Sequence, residues 1–193
     1  MKKIIGFDID GVITDESHPN DNIWHDALCK YLGRDLERVH QSYPFTKAYG
    51  LSIDVVESFM EEKMEELIRE VKPMEGALYT LDFLDKKNFH IHLITARNAK
   101  YDRVTYEWLN EYSIPYTSLI HDDNKAPLAV EKGIELFIED SSSNTVELIA
   151  EGIPVILLNK YHNQDIADSN LIFRVDNWSE INRQIINHFS IYY

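Results

Sequence analysis

Apolar positions along this chain follow two periods. Short β-branched runs, KIIGF (3–7), HIHLIT (90–95), TSLI (117–120), ELFI (135–138), PVILL (154–158) and LIFRV (171–175), read as strands, and most lack apolar–polar alternation. Runs of that kind suit a parallel sheet covered on both faces. Between them apolar residues recur at helical spacing. One set is Ala77, Leu81 and Leu84; a second is Tyr101, Val104, Trp108 and Tyr112, ending before Pro115. A third is Val146, Ile149 and Ala150, stopped by Gly152, and the last is Trp178, Ile181, Ile185 and Phe189, with Asp176 or Asn177 as N-cap. The alternation predicts an α/β fold: a doubly wound, Rossmann-like parallel sheet.

One segment breaks the rhythm. From Glu16 to about Lys72 no strand pattern occurs, but two helical stripes do: Trp24, Ala27, Leu28, Tyr31, Leu32, and Met60, Met64, Leu67, Ile68, Val71. The aromatic loop SYPFTKAYG lies between them. The expected organisation is an α/β core built from 1–15 and 73–193, with 16–72 inserted after the first strand as a small helical cap. Trp24, Tyr43, Phe45 and Tyr49 either offer aromatic faces to a substrate base or form the cap's own small core.

Charge narrows the partners. The 193 residues carry a net charge of −14, with lysines and arginines scattered among the carboxylates, which argues against a nucleic-acid partner. An anionic small substrate would need a local positive centre such as a metal ion. The single cysteine, Cys29, excludes an internal disulfide and a multi-cysteine zinc site, and reads as a small buried hydrophobe. The start, MKKIIGFDID, is too short in apolar residues for a signal peptide, and no run approaches the roughly 20 apolar residues of a membrane span. The expectation is a cytoplasmic protein with no membrane association.

The strand ends carry the candidate chemistry, because ligands of open α/β sheets sit outside the carboxyl ends of the strands. Asp8 and Asp10 follow the first run, Thr95, Ala96 and Arg97 the second, HDDNK with Lys125 the third, and Glu139, Asp140 and SSSN the fourth. In an extended segment Asp8 and Asp10 would face the same side, with Ile9 in the core. Carboxylates so close repel, and a hard divalent cation relieves that repulsion; Mg²⁺ suits a few carboxylates plus phosphate oxygens. Lys125 can neutralise what remains, since a charge pair about 4 Å apart is worth roughly 4 kcal/mol at an effective dielectric near 20.

DIDGVITD, ITAR, the lysine of NKAPLA and IEDSSSN resemble, in order, the four motifs of the haloacid dehalogenase superfamily. Within it the chain looks similar to the 5′(3′)-deoxyribonucleotidase-like group, and the helical segment lies where capped members place theirs. The resemblance implies a phosphomonoester hydrolase with Asp8 as nucleophile and Asp10 as general acid and base. Mg²⁺ would be held by the Asp8 carboxylate, the Asp10 carbonyl and the Asp140 carboxylate, with Glu139 and Asn144 tuning it from behind. Thr95, Ala96, Arg97 and Lys125 would line the phosphate and substrate site, Arg97 either reaching phosphate or capping the neighbouring helix. Dehalogenases and phosphonatases of the superfamily lack an acid at the position of Asp10, so its presence implies phosphate ester hydrolysis.

A nucleoside monophosphate is the leading expected substrate, and a sugar or other metabolite phosphate the alternative. A receiver-like signalling domain is a remote third, because a receiver carries no carboxylate pair after its lysine. His121, Asp122 and Asp123 read as a solvated loop rather than a second metal site. His90 and His92 read as packing or surface residues.

Overall fold

The computed structural model describes residues 2–16, 22–41 and 44–191. Among these, six strands form one parallel sheet: β1 (Ile4–Phe7), β2 (His90–Thr95), β3 (Ser118–His121), β4 (Leu136–Glu139), β5 (Val155–Leu158) and β6 (Ile172–Val175), in the order β3-β2-β1-β4-β5-β6. Each run lies within a residue of its expected place. The order reverses at β1, which pairs with β2 on one side and β4 on the other. That reversal opens a crevice at the carboxyl end of β1, the ordinary ligand position of such sheets.

Helices cover both faces. α4 (Ala77–Lys86), α5 (Asp102–Glu111) and α8 (Trp178–His188) bury Leu81, Trp108, Trp178 and Ile181 against Phe7, Leu93, Ile138 and Ile156. α6 (Lys125–Lys132) and α7 (Ser142–Ala150) cover the other face through Ala129 and Leu148, packed with Ile94, Phe137 and Val155. Asn177 caps α8 by accepting from the Glu180 N–H. The face of α7 differs from expectation: Val146 is 52% exposed, whereas Thr145 and Leu148 are buried. Ser141 sets the start of this helix, and the Thr145 hydroxyl donates to the Ser141 carbonyl, so a satisfied polar residue occupies the inner face.

Three further α-helices among the described residues, α1 (Ile23–Leu32), α2 (Phe45–Ala48) and α3 (Ile53–Glu70), fall between β1 and β2. Trp24, Leu28, Tyr49, Phe59 and Leu67 form a separate apolar cluster there, with Phe45 packed on it. Phe59, outside the expected stripe, is its fully buried centre, while Ile68 and Val71 turn to the sheet-side core. Trp24, Phe45 and Tyr49 thus belong to this cluster's packing; Tyr43 lies outside the described residues. The two chain passages leading to and from these helices run antiparallel, with Asp15 N–H donating to Lys72 O (2.8 Å) and Met74 N–H to Ile13 O (2.8 Å). Among the described residues no helix is long and apolar enough to cross a membrane.

Candidate active site

Strand β1 ends at Phe7, and the chain turns at once. The N–H groups of Ile13 and Thr14 both return to the Ile9 carbonyl, and Gly11 takes φ +74°. Asp8 and Asp10 therefore meet through a tight turn and not through strand alternation, although Ile9 is fully buried as expected. Gly11 is required twice over. Its φ is left-handed, and a Cβ there would lie 2.2 Å from Asp140 Oδ2.

Asp8 is nearly buried, and its Oδ1 accepts from the Ile9 N–H (2.7 Å) and from Lys125 Nζ (2.8 Å). Lys125, the first residue of α6, is 1% exposed and also donates to Glu139 Oε1 (2.9 Å). Asn144 Nδ2 reaches the same oxygen at 2.5 Å, and the Asp140 N–H donates to Oε2 at 2.9 Å. Glu139 therefore holds its neighbours in place. Burial opposes the charge of Lys125, but Asp8 and Glu139 outweigh it and raise its pKa. Burial likewise works against the Glu139 carboxylate, and Lys125 more than compensates, leaving it below its ordinary value.

Asp8 and Asp140 go the other way. Burial raises both, and Glu139 adds to the repulsion on each. Asp8, Glu139 and Asp140 offer carboxylate oxygens within 4.8 Å of one another. Asp140 Oδ2 accepts no hydrogen bond among the described residues; it lies 3.2 Å from His162 Nε2 without hydrogen-bond alignment. A crowded, buried carboxylate set with an unsatisfied oxygen is the donor chemistry that a hard divalent cation fits.

Thr95 is fully buried; its hydroxyl accepts from the Arg97 N–H (3.2 Å) and lies 3.4 Å from Asp10 Oδ2, while Ala96 beside it is exposed. Arg97 departs from expectation. Its Nε and Nη2 grip the Asp10 carboxylate at 2.6–3.1 Å and its Nη1 donates to Thr105 Oγ1 at 3.2 Å. All three guanidinium nitrogens are engaged in a side chain 1% exposed, so Arg97 is neither a phosphate contact nor a helix cap in this arrangement.

Other groups escaped sequence reasoning. After β5, Asn163 Nδ2 donates to the carbonyls of Asp140 (2.7 Å) and Leu158 (2.8 Å), and His162 Nε2 lies 3.2 Å from the Asp140 carbonyl. Lys160 in the same loop is buried, which lowers its pKa against the pull of Asp140 and Glu16. Reading the fifth strand exit, NKYHN, by the rule used for the other four would have found all three. Glu16 leaves no such signal. Half-buried beside Thr14 Oγ1 (2.9 Å), it is pushed to a pKa of about 8, first by burial and then by Asp10 and Asp140. Arg38 crosses from the helical segment to Tyr161, donating to its hydroxyl at 2.8 Å with its guanidinium over the ring. His121 is part-buried, its side chain 6% exposed and its Nδ1 donating to the Arg97 carbonyl at 3.0 Å, whereas Asp122 and Asp123 are exposed as expected. His92 is also buried, its Nδ1 2.7 Å from Ser118 Oγ, as a packing residue would be.

The family described as 5′ nucleotidase, deoxy (pyrimidine), cytosolic type C protein matches residues 2–189. The chain belongs to that family. A nucleotidase of Clostridium acetobutylicum is 31% identical over 180 residues, covering 92% of this chain and 90% of its own length. Two solved structures share the fold of this type C nucleotidase family member. One is a haloacid dehalogenase-like hydrolase from Streptococcus pneumoniae (TM-score 0.68, 13% identity, 97% and 98% of the two chains). The other is a haloacid dehalogenase-like hydrolase from Xanthomonas campestris (TM-score 0.64, 14% identity, 98% and 96%). The enzyme is thus a nucleotidase-type phosphohydrolase, and its fold is that of haloacid dehalogenase-like hydrolases.

Proposed function

We propose that the enzyme hydrolyses nucleoside monophosphates through an aspartyl-phosphate on Asp8, with Mg²⁺ as its cofactor. The observation that carries this reading is the buried ion-pair chain Asp8–Lys125–Glu139, set beside Asp10 and Asp140 where the sheet order reverses. The Asp8 carboxylate, the Asp10 backbone carbonyl and the Asp140 carboxylate would hold the metal, which supplies positive charge to the phosphoryl oxygens. Lys125, already fixed on Asp8, brings a phosphate oxygen to the nucleophile, and the Thr95 hydroxyl and the Ala96 N–H complete the grip. Asp8 forms the new bond to phosphorus as the ester oxygen departs with a proton from Asp10. Water then attacks the same phosphorus and gives its proton to Asp10, releasing inorganic phosphate and regenerating Asp8. The acid and base steps together contribute roughly 10²–10⁴-fold.

Residues 16–72 act as the cap that excludes water and selects the substrate, on a core of 1–15 and 73–193. Glu16 and the Arg38–Tyr161 contact support this, since both bring that segment to the loops around Asp140. A panel of nucleoside 5′- and 3′-monophosphates and sugar phosphates at fixed Mg²⁺ tests the proposal. The expected result is highest kcat/KM on a nucleotide, with chelation abolishing turnover. A sugar phosphate preferred over every nucleotide would overturn the substrate assignment.

A further inference from the structure

Arg97 is the one buried arginine of the site, and the expected phosphate contact leaves its placement unexplained. Its fork closes on the Asp10 carboxylate from one side, Nε to both oxygens (3.1 and 2.8 Å) and Nη2 to Oδ1 (2.6 Å). The fork is itself braced. Thr105 Oγ1 on α5 accepts from Nη1, the Trp108 ring lies 6.0 Å from the guanidinium carbon, and the buried His121 ring donates to the Arg97 carbonyl. Thr105 is fully buried and the Arg97 side chain is 1% exposed, against 16% for Asp10. A bidentate arginine–carboxylate pair fixes the carboxylate in plane as well as in position, which a single ammonium cannot do. Such a brace, on a side chain whose three guanidinium nitrogens are all engaged, has its function in the orientation it imposes.

We infer that Arg97 is a positioning residue whose clamp, backed by Thr105 and His121, sets the Asp10 carboxylate for proton transfer in both halves of the reaction. The inference rests on the aspartyl-phosphate reading above and adds to it a requirement on a residue that does not touch the substrate. Asp10 moves a proton twice: to the departing ester oxygen, and from the water that hydrolyses the Asp8 phosphate. An aryl ester needs little help in the first step because its leaving group is weakly basic. A misaligned Asp10 then delays only the second step, and phosphorylated Asp8 accumulates. An alkyl ester needs help in both, and nothing accumulates.

Arg97→Met should therefore show a burst of aryl alcohol with an aryl phosphate, and no burst with an alkyl phosphate. Its steady-state rate on the alkyl ester should fall on the order of 10²-fold, within the range a general acid supplies. Arg97→Lys should recover only part of the loss. Because Arg97 acts through Asp10, the double variant Arg97→Met/Asp10→Asn should be no slower than Asp10→Asn alone, within about twofold. Equal losses on both esters with no burst, or losses that multiply in the double variant, would overturn the inference. Where Arg97→Met does not fold, Arg97→Lys and Thr105→Val decide by the same burst comparison. Phosphate trapped on Asp8 in Asp10→Asn, with no burst in any Arg97 or Thr105 variant, would overturn this inference alone. Absence of phosphate on Asp8 in Asp10→Asn would overturn the parent reading.

Discussion

Gly11 and Asp140 occupy space that only a glycine leaves free. A Cβ at position 11 would stand 2.2 Å from Asp140 Oδ2, one of the carboxylate oxygens of the proposed metal site, on a backbone at φ +74°. Gly11→Ala is expected to cost roughly 1–2 kcal/mol for the left-handed backbone alone. It would also push the Asp140 carboxylate out of the site. A thermal melt should then fall by several degrees, at roughly 2–4 °C per kcal/mol for a chain of this size. The apparent Mg²⁺ requirement should rise as well, read by titrating activity with the metal. A melt shift with an unchanged Mg²⁺ titration would count against Asp140 as a ligand. At this scale the sequence is legible where a motif carries a charge and silent where it carries a brace. Asp8, Lys125 and Glu139 stand out as carboxylates and a lysine at strand ends. Thr105 and His121 do not, because a threonine inside a helix and a histidine at a strand end are ordinary until a neighbouring arginine is placed.

Among the elements, α8 puts no side chain into the site but is tied to the turn that carries it. Trp178 lies stacked on Phe7 with ring centroids 5.9 Å apart, and its Nε1 donates to the Val12 carbonyl at 2.9 Å, inside the turn that carries Asp10 and Gly11. Trp178→Phe keeps most of the apolar burial but leaves that carbonyl without its donor, an expected cost of roughly 1–3 kcal/mol. The urea midpoint should drop with little change in slope. An unchanged midpoint would show that the turn does not depend on the helix. The apolar run of α8 and its asparagine cap are readable from residues 176–189. The bond from residue 178 back to residue 12 is not, since nothing in local periodicity specifies a partner 166 positions away. The same limit explains α7. Of the apolar set at 146, 149 and 150 only Ile149 packs on the core, because a buried threonine satisfied by its own helix looks polar in sequence.

Over the whole molecule, the alternation of strands and helices specified the class of fold but not the order β3-β2-β1-β4-β5-β6, which is set by which covered faces can be buried together. Position in that order governs ionisation far from the site as well. His92, on a strand flanked by two others, is held below its ordinary pKa first by burial and then by His90 and Lys132. A histidine depressed on folding contributes stability that is complete above the unfolded value near 6.5 and is lost as the pH falls through the folded value. Acidifying from pH 7 to pH 5 should therefore destabilise the wild-type protein more than His92→Gln, measured by denaturant titration at each pH. Parallel losses in the two proteins would contradict this.

The central claim is that Asp8 becomes phosphorylated and Asp10 is needed to release it. It is tested most directly by mixing Asp10→Asn with an aryl phosphate and Mg²⁺, quenching in acid and locating the phosphate by peptide mass. The account predicts a stoichiometric burst of aryl alcohol and a hydroxylamine-sensitive phosphate on Asp8. An unmodified Asp8 during continued turnover, or a phosphate on any other residue, would contradict it.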